Sequence, residues 1–310
     1  MSFPYRDETK ELDDDARRSA GGSFIQLPAG VTHYELAGPS PLLSREGLEA
    51  RSPVVLVHGI SVPYFIYDLT FEFLSQAGFR VLRYDLFGRG FSDRPRTRYT
   101  LDLFVKQLAD LLDALGFAST TLSAGARPVN LIGLSMGGPI TSVFTVRHPE
   151  RVNKLVLIDP IGAKPIDARL SLKVARIPLL AETLFGLIGS ASLVRSMASD
   201  FFDPALVAHF QSRYKVQMQY KGFMRAILST IRNNMLGSFM EVYRQVGKMD
   251  KPVLLFWGRD DVTVPFEHSR DLRAVLPNAE FHVIENCGHI PHYEKPEEVN
   301  PILLEFLSKS

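Results

Sequence analysis

The sequence contains a single cysteine, Cys287, among its 310 residues, so no intrachain disulfide can form. It also has no excess of one charge, because 35 Lys and Arg residues are balanced by 34 Asp and Glu residues. Nucleic-acid binders need a basic surface, and this balance argues against a DNA- or RNA-binding protein. The first 18 residues are polar and contain no apolar segment of a secretory signal. We therefore expect a cytoplasmic protein that binds no nucleic acid.

Long hydrophobic runs are also scarce. The most apolar stretch, residues 177–194, contains Pro178 and Glu182 and lies between predicted strands, which is atypical of a membrane span. A hydrophobic fraction of 45% in 310 residues is nevertheless enough to bury a large core. The sequence predicts a globular protein without an integral membrane span.

Short aliphatic or β-branched runs alternate with helical periods from residue 23 onward, which is the pattern of an α/β protein. The predicted strands are 24–27, 32–37, 54–57, 80–84, 129–134, 155–158, 253–257 and 280–284. The predicted helices are 67–76, 101–115, 137–147, 265–276 and 296–307. A short turn joins the first two strands and indicates an antiparallel hairpin, whereas the helices between the later strands indicate a mostly parallel sheet.

Residues 161–249 break this alternation, because they contain amphipathic helical patterns and no convincing strand. We interpret them as a helical insertion into a core formed by residues 23–160 and 250–310, with residues 1–22 as a loose N-terminal arm. The insertion is basic, with 12 Lys and Arg against 5 Asp and Glu in residues 162–249, and holds six of the eight methionines. Flexible methionines suit an adaptable apolar surface, although packing inside a helical domain explains them equally well.

The motif Gly133-Leu134-Ser135-Met136-Gly137 follows a predicted strand and precedes a predicted helix. A tight turn between these elements forces the serine into a strained conformation and exposes its hydroxyl, while the small flanking glycines keep side chains away. The positive end of the helix points to the same place. We therefore predict that Ser135 is a catalytic nucleophile.

A nucleophilic serine needs a histidine base and a carboxylate that orients it. His289 follows the last predicted strand and is the candidate base, while the other histidines lie on helices, strands or turns less suited to this role. Asp260 and Asp261 both lie on the loop after strand 253–257, and Asp159 ends the preceding strand. The residues alone leave these three aspartates as candidate acids.

The oxyanion formed during acyl transfer needs two backbone donors. The N–H of Met136, the residue after the nucleophile, is one candidate. The N–H of Ile60 is the other, because His58-Gly59-Ile60 ends the strand 54–57 and the glycine lets the backbone approach a substrate.

The sequence resembles the α/β-hydrolase superfamily over nearly all of the chain beyond residue 22. The resemblance is carried by Val57-His58-Gly59, Asp85 with Gly88-Arg89-Gly90 and Ser92, Gly133 to Gly138, His148-Pro149-Glu150-Arg151-Val152, Gly258-Arg259-Asp260-Asp261 and Gly288-His289. It implies the α/β-hydrolase fold, with an eight-stranded, mostly parallel sheet, helices on both faces and an inserted helical cap. The order Ser135, Asp261, His289 matches the family, whose acid position selects Asp261.

Among members of that superfamily, the chain looks most similar to serine esterases and monoacylglycerol lipases. Ser135 argues against relatives with an aspartate nucleophile. Hydrolases that cleave carbon–carbon bonds of aromatic meta-cleavage products are the alternative, but they carry a Gly-rich oxyanion loop and a tryptophan after the base, where this chain has Ile60-Ser61-Val62-Pro63 and Ile290. A ligand receptor of this fold with slow turnover is a further alternative.

The expected reaction is hydrolysis of a small-molecule carboxylic ester through an acyl-enzyme, with no metal and no organic cofactor. Tyr64, Phe65 and Tyr67 follow the oxyanion loop, and we expect them to form an apolar acyl pocket together with the cap. The basic cap is expected to make at most weak contact with a lipid surface.

Overall fold

The computed structural model describes residues 5–39, 51–117, 127–166, 170–188 and 191–309. Its strands are β1 Ser23–Leu27, β2 Gly30–Ala37, β3 Val54–Val57, β4 Val81–Tyr84, β5 Val129–Leu134, β6 Val152–Ile158, β7 Val253–Gly258 and β8 Glu280–Ile284. They form one sheet in the order β1-β2-β4-β3-β5-β6-β7-β8. The predicted fold, an α/β-hydrolase sheet that is mostly parallel, is confirmed.

The pairing directions follow from the connections between the strands. β1 and β2 form the predicted antiparallel hairpin, β2 also runs antiparallel to β4, and the remaining neighbours are parallel. Every residue of β3, β5 and β7 is buried, as expected for central parallel strands that are covered on both faces. The order along the sheet reverses beside β3, and ligands of such sheets bind at the carboxyl ends of the strands at this point.

The remaining regular structure of the described residues is helical, and most of it is α-helix. They are α1 Asp14–Ala20, α2 Asp68–Gln76, α3 Leu101–Ala114, α4 Gly137–Arg147, α5 Leu170–Ala175, α6 Leu180–Ile188, α7 Ala191–Ser196, α8 Ala205–Met218, α9 Phe223–Arg232, α10 Met240–Val246, α11 His268–Val275, α12 Pro291–Glu294 and α13 Pro296–Ser308. Short 3₁₀ helices span Tyr64–Tyr67, Pro149–Arg151 and Met197–Asp200. The predicted helix 67–76 corresponds to α2, which begins one residue later because Tyr67 ends the preceding 3₁₀ helix.

Between β6 and β7 the described elements are all helical, from α5 to α10, and we call this region the cap. α9 is its most amphipathic helix and buries the apolar side chains that the sequence pattern placed on one face. Some of the basic residues of the cap pair with carboxylates, including Arg232 with Glu182 and Arg213 with Asp68. These pairs neutralise part of the positive charge, and contact with lipid stays a prediction. No helix in the described ranges has the length and apolar character needed to cross a membrane.

The N-terminal arm was expected to be a loose segment, but part of it is helical and it is hydrogen-bonded to the cap. Residues 14–20 form α1, and the backbone of Lys10 bonds to that of Gln219 and Lys221. The carboxylate of Glu8 accepts hydrogen bonds of 2.6 Å from the N–H groups of Gly222 and Met224 at the start of α9. Free N–H groups at a helix N-terminus attract a carboxylate, and the arm is therefore attached to the cap.

Candidate active site

Ser135 lies in the sharp turn that connects β5 to α4. Its φ of 53° falls in the left-handed region, which is uncommon for residues other than glycine and is costly unless the surroundings enforce it. The turn is closely packed, because a Cβ at Gly137 would lie 2.1 Å from the carbonyl oxygen of Val57. The glycines of the motif thus allow β3, β5 and α4 to approach each other around the serine.

His289 and Asp261 form a buried hydrogen-bonded pair beside this turn. His289 Nδ1 lies 2.7 Å from Asp261 Oδ2. The other carboxylate oxygen of Asp261 accepts bonds of 2.8 Å from the N–H groups of Thr263 and Val264, so the carboxylate is held in one orientation. The backbone N–H of His289 donates to the carbonyl of Asp200 in the cap at 2.8 Å. Asp261 is thereby suited to orient the imidazole and to stabilise its charged form.

The two other candidate acids occupy different environments. Asp260 is exposed, and its backbone N–H donates to the carbonyl of Cys287. Asp159 is fully buried, and its Oδ1 accepts a bond of 2.9 Å from the N–H of Gly258. Burial and the nearby charge of Asp261 raise the pKa of Asp159 well above its usual range. Of the three aspartates, Asp261 is the one bonded to the imidazole.

The ligating atoms of Asp159, Asp261 and His289 all lie within 4.8 Å of one another, which is a spacing that a metal ion could use. The pair bond between His289 and Asp261 already occupies the imidazole Nδ1 and one carboxylate oxygen. These contacts are those of an acid and base pair, and the expectation of a metal-free reaction stays a prediction.

The loop after β3 passes close over the serine. A Cβ at Gly59 would lie 3.2 Å from Ser135 Cβ, which explains the glycine at this position. Ile60 follows it and lines the same cavity as Ser135 and His289. Met136, the other predicted donor, directly precedes α4, and its side chain is fully buried.

His58 fixes the orientation of the peptide that contains the Ile60 N–H. His58 Nε2 accepts a bond of 2.9 Å from the N–H of Leu86, so this nitrogen carries no proton. Burial lowers the pKa of His58 to about 4, which leaves the ring neutral near pH 7 with its proton on Nδ1. Nδ1 then donates to the carbonyl of Gly59 at 2.9 Å. Because the peptide is trans, the N–H of Ile60 points in the opposite direction to this carbonyl.

A cavity of about 180 Å³ lies between this site and the cap. The described residues that line it are mostly apolar: Gly59, Ile60, Ser61, Val62, Ile66, Leu134, Ser135, Ile161, Ile166, Leu193, Ser196, Met197, Asp200, Tyr214, Ile227, Ile231, Leu236, Thr263, His289 and Ile290. Most of its apolar wall comes from the cap, as the sequence suggested. Of the cap methionines only Met197 lines the cavity, while Met218, Met224 and Met235 are buried.

The prediction that Tyr64, Phe65 and Tyr67 form the pocket is wrong, since none of them lines the cavity. The 3₁₀ helix distributes these side chains around its axis, and Ile66 is the one that faces the cavity. The Tyr64 hydroxyl donates to Glu35, Phe65 packs against Phe210, and the Tyr67 hydroxyl donates to the carbonyl of Val57.

Several supporting residues were not assigned roles from the sequence. His58 and Arg89 belong to motifs on which the family resemblance rests. Their hydrogen bonds join loops that are distant in the sequence, so no local sequence pattern predicts these bonds. Glu294 accepts a bond of 2.8 Å from the N–H of Gly288 and so holds the turn that presents His289. His292 is fully buried, and its ring lies against that of Tyr67 with 4.7 Å between the ring centroids.

The sequence profile described as the alpha/beta hydrolase family matches residues 54–302. The chain belongs to the alpha/beta hydrolase family. Its match begins at the first residue of β3 and includes the cap and all three residues of the candidate triad. This agrees with the fold described above and identifies the protein as a hydrolase.

Two of the similar proteins are named as hydrolases of oxo-dienoate or semialdehyde compounds. A 2-hydroxymuconate semialdehyde hydrolase of Pseudomonas putida is 27% identical over 77% of this chain and 80% of the relative. A 2-hydroxy-6-oxononadienedioate/2-hydroxy-6-oxononatrienedioate hydrolase of Paraburkholderia phymatum is 31% identical over 76% of this chain and 78% of the relative.

Solved structures with similar folds carry more than one activity. A meta-cleavage product hydrolase from Pseudomonas fluorescens has a TM-score of 0.71 and 24% identity, covering 92% of this chain and 97% of its own. An esterase from Exiguobacterium antarcticum has a TM-score of 0.74 and 18% identity, covering 93% of this chain and 100% of its own. At these identities the structural similarity indicates the fold and leaves the substrate open.

Proposed function

We propose that this hydrolase cleaves a carbon–carbon bond next to a carbonyl group in a small conjugated ketone of the meta-cleavage type. The observation that carries the proposal is the similarity to relatives named as hydrolases of such compounds, at up to 31% identity over three quarters of the chain or more. It is supported by a serine, histidine and aspartate constellation beside an apolar cavity. On the sequence alone this activity ranked second, after ester hydrolysis, and the similarity to these relatives reverses that order.

In the proposed reaction, Ser135 Oγ attacks the carbonyl carbon while His289 takes the hydroxyl proton. Asp261 stabilises the imidazolium, and the N–H groups of Ile60 and Met136 bind the oxyanion. Collapse of the tetrahedral adduct breaks the bond to the neighbouring carbon, whose electron pair is stabilised by conjugation with a second carbonyl. His289 returns its proton to that carbon. Water then cleaves the acyl-enzyme by the same steps.

The sequence differences that argued against this activity are local. Ile290 and the loop Ile60-Ser61-Val62-Pro63 both line the cavity through some of their residues. Their side chains therefore bear on which substrate fits, whereas the bond that is cleaved depends on the triad and on the backbone N–H groups that bind the oxyanion. A departure at these positions is compatible with the same reaction on a substrate of different shape.

Ester hydrolysis is the second candidate, and the chemistry of the cavity favours it. Among the described lining residues there is no Lys or Arg, and the only carboxylate is that of Asp200. A neutral ester can enter such a cavity without a counterion, whereas a dienedioate carries carboxylates that need charged or hydrogen-bonding partners. This observation also predicts that a meta-cleavage substrate of this enzyme carries an uncharged, apolar acyl group.

A direct comparison of the two activities tests the proposal. The purified protein is incubated with a 2-hydroxy-6-oxo-dienoate that bears an apolar group at carbon 6, and loss of the visible absorbance of the conjugated system is followed. Hydrolysis of p-nitrophenyl butyrate is measured in parallel, with Ser135→Ala as the blank for both. A higher kcat/KM for the dienoate supports the proposal, and turnover of the ester alone contradicts it. Labelling of Ser135 by a fluorophosphonate with negligible turnover of both would instead favour a ligand receptor.

A further inference from the structure

Two consecutive carbonyl groups of the oxyanion loop are held by side chains. The carbonyl of Ile60 accepts a bond of 2.7 Å from Arg89 Nε. The carbonyl of Ser61 accepts a bond of 2.8 Å from Gln217 Nε2, and Gln217 belongs to α8 of the cap. With the bond from His58 to the carbonyl of Gly59, three successive carbonyl groups accept side-chain hydrogen bonds, two of them from residues outside the loop.

Arg89 connects the same loop to a second helix of the cap. Its side chain is fully buried, and Nη2 donates to Thr230 Oγ1 of α9 at 2.8 Å. Nη1 donates to the carbonyl of Phe87 at 3.1 Å. No carboxylate pairs with this guanidinium among the described residues, so its charge is accommodated by neutral acceptors. Burial lowers its pKa to about 10, which still leaves it charged near pH 7.

The side chain of Gln217 bonds both to the oxyanion loop and to the residue that follows Arg89. Its Oε1 accepts a bond of 2.7 Å from the N–H of Gly90, the residue after Arg89, while its Nε2 donates to Ser61. Gln217 is 2% exposed, so neither bond competes with solvent. The cap therefore contacts the oxyanion loop directly through α8 and, by way of Arg89, through α9.

We propose that Arg89 and Gln217 are positioning residues that set the geometry of the oxyanion loop and couple it to the cap. This inference rests on the proposed function, because it requires that the N–H of Ile60 binds the oxyanion. Catalytic donors have to be held to within about half an ångström of the productive position. If the cap helices shift, these bonds move the carbonyls of Ile60 and Ser61, and the neighbouring N–H moves with them.

Substitutions at the cap end of each connection test the proposal without removing the buried charge of Arg89. Gln217→Met keeps the length of the side chain and removes both bonds, and Thr230→Val removes the acceptor of Arg89. The matched control for the first is Gln211→Met on the same helix, where Gln211 Nε2 bonds to the carbonyl of Val194 within the cap. The control for the second is Thr145→Val in α4, where the hydroxyl donates to the carbonyl of Thr141 in the same helix.

The readouts are kcat and KM for p-nitrophenyl butyrate, the rate constant of fluorophosphonate labelling at Ser135, and the thermal midpoint. Loss of one oxyanion donor costs about 10²- to 10³-fold in kcat, so displacing a donor should cost about 10- to 100-fold. We expect this loss in Gln217→Met and Thr230→Val for both kcat and labelling, with KM within about threefold of wild type. The controls should retain wild-type rates.

The outcomes separate this inference from the proposed function. Wild-type protein that is not labelled at Ser135 would contradict the serine mechanism itself. Wild-type protein that is labelled, with Gln217→Met and Thr230→Val reacting as fast as their controls, would overturn the coupling alone. A rise in KM with unchanged kcat and labelling would also overturn it, because the two residues would then shape only the substrate pocket.

Discussion

Asp159 and Asp261 place carboxylate oxygens within 4.8 Å of each other beneath His289, and Asp261 alone of the two is bonded to the imidazole. They follow β6 and β7, which are neighbouring parallel strands, so their proximity is a consequence of the sheet order. Ionising both of two buried carboxylates at this distance costs a large amount of free energy, because their negative charges repel each other. Burial and the neighbouring Asp261 raise the pKa of Asp159 well above its ordinary value, so Asp159 holds its proton to a higher pH than an exposed aspartate does.

The stability of the protein should depend on pH through Asp159. Its pKa is higher in the folded chain than the ordinary value of 3.8, so the unfolded chain loses this proton first as the pH rises. The folded state is therefore destabilised increasingly above about pH 4. Asp159→Asn mimics the protonated carboxyl, and we expect its thermal midpoint to exceed that of wild type by about 2 °C or more at pH 8.

The comparison is made by thermal unfolding between pH 4 and pH 8, with Asp260→Asn as the exposed control. The difference between Asp159→Asn and wild type should grow with pH, and the control should follow wild type throughout. A difference that is constant with pH would mean that Asp159 is ionised in the folded protein.

Ser135→Ala should lower kcat by about 10⁴-fold or more, because the nucleophile of the proposed triad is lost. Ser142→Ala is the matched control, since Ser142 is a buried serine of α4 whose hydroxyl has no hydrogen-bond partner among the residues that the structure describes. The control should retain wild-type kcat. A folded Ser135→Ala protein with a tenth of wild-type kcat would show that another group is the nucleophile.

The neighbouring aspartates 260 and 261 should differ strongly in their effect on catalysis. Asp261→Asn replaces the acceptor of the His289 Nδ1 proton and should cost about 10³- to 10⁴-fold in kcat. Asp260→Asn alters an exposed side chain and should cost less than about tenfold. If the two effects are reversed, the orienting acid is Asp260, and near-full activity in both variants would shift the role to Asp159.

The difference between what the sequence predicts and what it misses has a physical basis. The strands and the turn at Ser135 depend on local periodicity and on glycines at fixed offsets, whereas Asp261 was selected by the family resemblance. In the structure Ser135 and His289 line one cavity, and Asp261 is bonded to His289 behind it. The bonds of Gln217 to Ser61 and Gly90 join residues more than 120 positions apart in the sequence. A local sequence pattern cannot predict such contacts. The pocket prediction was wrong because it placed the side chains of Tyr64, Phe65 and Tyr67 on one surface. These residues belong to a 3₁₀ helix, which points their side chains in different directions.

The apolar wall of the cavity should set the preferred acyl length. Each methylene that the wall buries contributes about 0.8 kcal/mol, so kcat/KM for p-nitrophenyl esters should rise about three- to fourfold per carbon until the cavity is full. Ile231 of α9 lines the cavity, and Ile231→Ala should move the plateau to longer chains by about one or two carbons.

Leu228 provides the control for this prediction, because it is buried on the same helix and does not line the cavity. Leu228→Ala also creates a void, which typically costs about 2–5 kcal/mol of stability, so thermal midpoints are measured for both variants. The plateau of Leu228→Ala should stay at the wild-type length even if its stability falls further than that of Ile231→Ala. Equal shifts in the two variants would mean that loosening of the cap, and not the space beside Ile231, sets the acyl preference. A wild-type profile that is flat from the acetyl ester onward would place the acyl group outside this cavity altogether.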